Sequence, residues 1–381
     1  MNKTIPLIGR IDSNNAAEVE QQIQAEVQDF QGSLTLDAAG LEYISSAGLR
    51  VILRLKKAYK DCAVINCNSD VYDIFDMTGF TEMMDISKAY RKISVEGCEV
   101  IGEGANGLVY RTDPDTIVKV YKNHDALEEI HNERELARKA FIMGIPTAIP
   151  YDVVQVGDLY GSVFELLNAK SFGQLIREGV SVDELAKQSV EILKIMHATK
   201  LKDGELPRKK AEADSWARRS AKYLPEALGN KLIALFDAIP ETNTMLHGDF
   251  HIKNIMQQNG ENLLIDMDTL SMGHPIYELA AVFSAYKGYS CGDESIRGKF
   301  LGITAEQCEV MLNATFRYYF ADKTEAEIDD IYRKAALISY TRIYRWMIER
   351  RGTSAESSQA AIDFCKDYLT ENIPKIEKLY Y

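Results

Sequence analysis

Apolar and polar positions change rhythm once along this chain, near residue 92. Before that point, short apolar runs alternate with stretches of helical spacing. The pattern predicts a strand over residues 5–9, a helix over 15–28 with Ala16, Val19 and Ile23 on one face, and a strand over 33–37. A turn follows, then a helix over 46–59 carrying Leu49, Val51, Ile52, Leu53 and Leu55, a short strand over 63–65, and a helix over 69–77 that stops at Gly79. Strands alternating with helices predict a small layered α/β domain over residues 1–92.

Beyond residue 92 the pattern predicts strands joined by short turns. Residues 94–101, 107–111 and 116–121 read as three successive antiparallel strands, with Asp113-Pro114-Asp115 marking the second turn. A helix over 126–143 and a strand over 160–166 follow, and from about residue 168 the spacing is mainly helical. The whole reads as α/β followed by α+β.

Composition narrows the function classes. The chain has 381 residues and is 46% apolar, enough for two or three ordinary cores. Its net charge is −13, and residues 1–95 carry 10 Lys+Arg against 13 Asp+Glu, so about −10 falls on the rest. Such acidity argues against sequence-independent binding to nucleic acid or to an anionic membrane, since both need a basic surface. The six cysteines are scattered, without a C-x-x-C pair or zinc-type spacing. The start lacks the apolar core of a signal peptide and no apolar run is long enough to span a membrane, so a cytoplasmic protein is expected.

Four features carry candidate chemistry. Gly102-Glu103-Gly104-Ala105-Asn106-Gly107-Leu108-Val109 satisfies G-x-G-x-x-G-x-V between two predicted strands. Glycines there let backbone amides approach phosphate oxygens, and the strand context excludes the dinucleotide version, whose glycines open a helix. Lys119 stands mid-strand in Ile117-Val118-Lys119-Val120-Tyr121, where an ammonium needs an anionic partner. In the next helix Glu133 shares a face with Leu136, Ala137 and Ala140, so Glu133 rather than Glu135 is the expected partner.

The fourth feature is His247-Gly248-Asp249-Phe250-His251-Ile252-Lys253-Asn254, followed by Leu263-Leu264-Ile265-Asp266. Its spacing suits metal-assisted phosphoryl transfer. Asp249 would accept or orient the proton of an attacking hydroxyl, while Asn254 and Asp266 would hold Mg2+ against the phosphates of ATP. His247 is expected to buttress the loop rather than act as a second base. Lys253 is left open between a phosphate contact and a surface lysine, and Asp268 between a second metal contact and an acid that stabilises the loop.

In this order the motifs resemble the aminoglycoside phosphotransferase and choline kinase family, relatives of protein kinases, from about residue 96 onward. The H-G-D segment replaces H-R-D, Ile265-Asp266-Met267-Asp268 stands where protein kinases have D-F-G, and no A-P-E segment follows. Those points favour a small-molecule acceptor. The resemblance implies a bilobal kinase-like fold, with an N-lobe over 93–167 and a helical C-lobe over 168–381. It also implies that Val163-Phe164-Glu165-Leu166-Leu167 leads to an adenine-binding hinge, which makes Glu165 and Leu167 candidate nucleotide contacts. One departure is Glu278, in a segment where the family often has an aspartate. Tyr340, Arg342, Tyr344, Arg345 and Trp346 lie on a helix that is read as core before pocket.

Residues 1–92 resemble a STAS domain, the fold of anti-sigma-factor antagonists. The similarity lies in Leu7-Ile8-Gly9-Arg10-Ile11-Asp12, Leu34-Thr35-Leu36-Asp37, Tyr43-Ile44-Ser45-Ser46-Ala47-Gly48-Leu49-Arg50 and Phe75-Asp76-Met77-Thr78-Gly79-Phe80. It implies a binding or regulatory module with a protein partner, and Ser46 as a candidate phosphoacceptor at a helix N-terminus. Two other readings stand beside the small-molecule kinase. One is a serine protein kinase acting on its own STAS-like domain, and the other is a non-catalytic, nucleotide-binding scaffold.

Overall fold

The computed structural model describes residues 2–28, 30–104, 106–349 and 357–381, the side chains of Ser357 and Ser358 excepted. The chain divides into two compact units: residues 1–96 with 153–160, and residues 97–152 with 161–381.

In the first unit, strands β1 (Asn2–Ile11), β2 (Ser33–Ile44), β3 (Cys62–Cys67) and β4 (Ile86–Lys88) form a parallel sheet in that order. Helices α1 (Ala16–Glu26), α2 (Ser46–Ala58) and α3 (Ser69–Met77) make the connections. Both β1 and β2 run further than the apolar rhythm suggests. The pairing shifts register between Pro6 and Ile8 and again between Gly9 and Arg10, which breaks the strict alternation that sequence reading depends on. Leu34, Leu36, Val64, Ile52, Leu55, Val71 and Phe75 fill the core between sheet and helices. Gly48 is there because a Cβ would lie 2.6 Å from Ile44 and 2.8 Å from Ile11. A short strand β5 (Arg91–Ile93) follows, so strand begins before residue 94, and residues 94–98 belong to no strand.

In the second unit, β6 (Glu99–Glu103), β7 (Gly107–Asp113) and β8 (Thr116–Tyr121) pair antiparallel, and α4 (Leu127–Ile142) packs Ile130, Leu136, Ala137 and Ala140 inward. Strand β9 (Asp152–Val156) pairs parallel with β5 and, from Val153 on, belongs to the first unit, whereas β10 (Leu159–Glu165) pairs antiparallel with β8 through residues 161–165. The rest is helical, with β11 (Lys170–Ser171), α5 (Phe172–Arg177), α6 (Val182–Ala198), α7 (Lys209–Ala221) and α8 (Glu226–Asp237) coming first. Two small sheets interrupt it: β12 (Met245–Leu246) pairs with β15 (Ser271–Met272), and β13 (Ile255–Gln258) pairs with β14 (Glu261–Leu264) and β11. Helices α9 (Ile276–Tyr286), α10 (Ala305–Tyr319), α11 (Glu325–Glu349) and α12 (Ser357–Asn372) complete it. Every residue of α9 is buried, so this helix is the centre about which the others pack. Among the described residues no helix is long and apolar enough to cross a membrane.

Candidate active site

Lys119 projects from β8, where its backbone lies opposite Val109 of β7 and Ser162 of β10. Its ammonium reaches Glu133 Oε1 at 3.0 Å and Oε2 at 3.1 Å, and Asp266 Oδ1 at 3.1 Å. Glu133 is buried on α4, while Glu135 points away and lies 3.9 Å from Arg138. Burial works against the lysine's charge, but Glu133 and Asp266 outweigh it and hold its pKa above the ordinary value. Tyr121 donates its hydroxyl to Glu133 Oε2, a second anchor that no spacing rule pointed to.

The glycine loop joins β6 to β7. The Gly104 N–H is spent on Gly107 O at 2.9 Å, and a Cβ on Gly107 would stand 2.4 Å from Val120 O. Gly107 therefore answers to the close passage of β8. Gly102 and Gly104 meet no such obstacle. Asn106 donates to Glu129 at 3.0 Å, and Ala105 lies outside the described residues. Glu165, exposed, and Leu167, half-buried, lie where the chain leaves β10, with Leu166 N–H bonded to Asp115 O.

The segment from His247 to Asn254 is a loop between β12 and β13, held from several sides. Fully buried Glu278, near the start of α9, accepts the backbone N–H of His247 and that of Gly248 at 3.0 Å. Burial pushes the Glu278 carboxyl up to about 7, although those two bonds oppose the rise. Thr269 Oγ1 donates to His247 O at 2.8 Å, and Tyr286 Oη accepts from Ile252 N–H at 3.1 Å. Gly248 has φ +86°, and a Cβ there would stand 2.6 Å from Thr269 O, which is why this position carries glycine.

His247 is buried, its Nε2 3.1 Å from Ile265 O and its Nδ1 3.4 Å from the Asp249 N–H. Burial lowers its pKa, so it is a neutral strut with Nε2–H donating. Asp249 keeps its side chain 39% exposed, with Oδ2 3.4 Å from His251 Nε2. Burial would raise its pKa, but His251, His247 and Arg342 of α11 outweigh that and hold it at about 2. Asn254 Nδ2 donates to Asp249 O at 3.0 Å, and its amide oxygen takes no part in that bond. Asp266 sits in the left-handed region at φ 63°, which turns its carboxylate toward Lys119. Burial and then Asp266 raise the pKa of Asp268. Lys253 is exposed and lies 4.9 Å from the Phe300 ring centroid.

The structure thus brings Lys119, Glu133 and Asp266 into one ion cluster and Asp249 and Asn254 onto one loop. Ser46 lies in the other unit, exposed at the first position of α2, where the capping bond is made by Ser45 Oγ, accepting from Ala47 N–H at 3.2 Å. Tyr340 and Tyr344 are buried, whereas Trp346 on the same helix is exposed.

The sequence model of the phosphotransferase enzyme family matches residues 97–302, more than half of the chain. The chain belongs to that family. A STAS-domain model matches residues 2–93 of this phosphotransferase. Over 87 residues, 22% of this chain and 75% of the relative, it is 30% identical to the "Putative anti-sigma factor antagonist BtrV" of Bordetella bronchiseptica. Among solved structures, the phosphotransferase is similar to the apo form of a thermostable mutant of aminoglycoside phosphotransferase APH(4)-Ia. That match has 14% identity and a TM-score of 0.51, covering 72% of this chain and 94% of the other. A GDP complex of an aminoglycoside 2'-phosphotransferase-IIIa mutant matches at 14% identity and TM-score 0.52, covering 81% of this chain and 99% of the other. At such identities the likeness is one of fold. This phosphotransferase therefore combines a STAS domain with the kinase-like fold that the motifs implied.

Proposed function

We propose that this phosphotransferase moves the γ-phosphoryl group of ATP to a hydroxyl of a small molecule, with its STAS domain serving as a regulatory or protein-binding module. The observation that carries this reading is the ion cluster of Lys119, Glu133 and Asp266 in the same unit as the ionised Asp249. Lys119, held charged, is suited to phosphate oxygens, and the exposed carboxylate of Asp249 is suited to accepting or orienting the acceptor's proton. Gly102, Gly104, Asn106 and Gly107 would cover the phosphates, and the backbone between Glu165 and Leu167 would meet the base. The absence of an A-P-E segment favours a small acceptor over a protein.

The residues present also fit Mg2+. The amide oxygen of Asn254, which takes no part in the bond to Asp249, and the half-exposed carboxylate of Asp266 offer the oxygen donors that a hard cation takes. Among the described residues no group of three or more His, Cys, Asp and Glu forms a cage of its own, which suits an ion shared with nucleotide phosphates. Bound there, Mg2+ would neutralise charge on the β- and γ-phosphate oxygens. The scattered free cysteines fit a cytoplasmic setting.

Asp249→Ala is expected to lower turnover by about 10²–10⁴-fold, the range for losing a positioned base, while nucleotide affinity stays nearly unchanged. The check is acceptor-dependent ADP release across amines, amino alcohols, sugars and nucleosides. No turnover by the unmutated protein on any of them would sink the reading.

One observation favours a second reading. Ser46 is exposed while its neighbour Ser45 does the capping, so the Ser46 side chain is open to solvent. With labelled ATP, phosphate that maps to Ser46 and disappears in Ser46→Ala would establish a protein-directed activity, and an unlabelled STAS domain would remove it.

A further inference from the structure

Two thiols in the helical part of the second unit, neither of them among the candidate active-site residues, face each other. Cys291 ends the turn after α9, and Cys365 lies on α12. Their sulfurs are 3.7 Å apart although the residues are 74 apart in sequence. The backbones meet here too. A Cβ on Gly292, next to Cys291, would stand 2.5 Å from Ala361 N, so the turn is pressed directly against α12 one helical turn from Cys365. Cys365 is fully buried and Cys291 is 7% exposed, beside Tyr340, which packs on Phe364 and Tyr368 at 5.3 and 4.5 Å.

We propose that Cys291 and Cys365 are a site of reversible covalent modification, closing to a disulfide when the protein meets hydrogen peroxide. The sulfurs need only approach by side-chain rotation to reach the usual bond length of about 2.05 Å. The Cys291 thiolate attacks one peroxide oxygen, forming a sulfenic acid and releasing hydroxide. Cys365 then attacks the Cys291 sulfur, the S–S bond forms, and the sulfenic oxygen leaves as water with the Cys365 proton. In sum, two thiols and one peroxide give one disulfide and two waters, and a thiol reductant reverses the change. The hydrogen bond with Cys365 lowers the pKa of the Cys291 thiol, and Cys291 is the less buried of the two, which suits it as the attacking group.

The bond would tie α12 to a turn whose Tyr289 and Ser290, with Phe300, line a cavity of about 120 Å³, and Phe300 packs on His251 at 5.1 Å. It would thus fix one wall of a cavity near the candidate base. It would also close a loop of 74 residues, which raises stability chiefly by restricting the unfolded chain.

The experiment treats the full-length protein with hydrogen peroxide under native conditions, blocks free thiols and maps peptides by mass. The expected result is a Cys291–Cys365 cross-linked peptide, two hydrogens lighter than the pair. With it comes a rise in Tm of about 5 °C or more, reversed by dithiothreitol. In Cys365→Ser the Tm rise disappears and Cys291 is trapped as a sulfenic acid; Cys291→Ser loses the rise as well. Oxidation confined to the more exposed Cys98, cross-links among other cysteines, or both thiols still alkylatable after peroxide would each overturn the proposal. None of these readouts requires phosphoryl transfer, so the result stands apart from the proposed activity.

Discussion

Gly248 cannot carry a side chain without displacing Thr269, and Thr269 in turn holds the carbonyl of His247. Gly248→Ala is therefore expected to cost about 1–3 kcal/mol, from the left-handed backbone and the crowding together, and to lower turnover well beyond what unfolding explains. Thermal melts read beside kcat separate the two effects. Glu278 acts on the same loop from the other side. Glu278→Ala leaves two buried N–H groups without an acceptor, at about 1–3 kcal/mol each, and Glu278→Gln, which keeps one acceptor oxygen, should recover part of the loss. Asp249 sets the pH behaviour. Its folded pKa of about 2 lies below the usual 3.8, so its contribution to stability is present above pH 3.8 and is lost as pH falls through 2. The candidate base is then ionised throughout the range above pH 3.8. In His251→Ala its pKa should climb back toward about 4, which would move the acid limb of kcat/KM up by one to two units. Asp249, Asn254 and Lys119 were legible as residue types at fixed spacing. Thr269 and Tyr286 were not, and Glu278 stood out only as a departure within the resemblance, because each acts on loop backbone from more than twenty residues away and its contact leaves no local pattern.

The helix α2 shows what one element owes to each of its first residues. Ser45 supplies the cap, so Ser45→Ala should cost about 1 kcal/mol, whereas Ser46→Ala, at an exposed position, should stay within about 0.5 kcal/mol. Chemical denaturation of the two variants checks the difference, and a result with Ser46 as the costlier loss would reverse the assignment. Gly48 one turn on is pressed against Ile11 and Ile44, so Gly48→Ala should destabilise the first unit by about 1–3 kcal/mol. The amphipathic spacing of α2 and of α4 was readable because each buries a single face. The strand expected over 94–101 was misplaced for the opposite reason. The apolar residues Val100 and Ile101 are exposed on β6, so hydrophobicity there does not mark a buried edge of the sheet. The register shifts in β1 likewise lengthen a strand that strict alternation cuts short.

At the scale of the whole molecule, the six histidines all fall between residues 124 and 274, so none lies in the first unit. Burial lowers His197 to about 3 and His274 to about 4. For both, the folded pKa lies below the unfolded value of about 6.5. Stability is complete above pH 6.5 and declines as pH falls toward 4, by about 1.4 kcal/mol per pH unit for each buried histidine. Calorimetry at pH 7.5, 6 and 5 should therefore show the second unit's transition moving down ahead of the first unit's. Equal shifts in both would contradict this. By itself the sequence determined the alternation of strands and helices in the first unit, the change of architecture near residue 92 and the residue types at fixed spacing around Lys119 and Asp249, because these rest on periodicity and spacing along the chain. Only the tertiary structure decided that Lys119 bridges Glu133 and Asp266, that Glu278 clamps the H-G-D backbone and that Cys291 meets Cys365. Those contacts join residues 14 to 147 positions apart, and distance through space at that range is fixed by packing rather than by any pattern the chain carries locally.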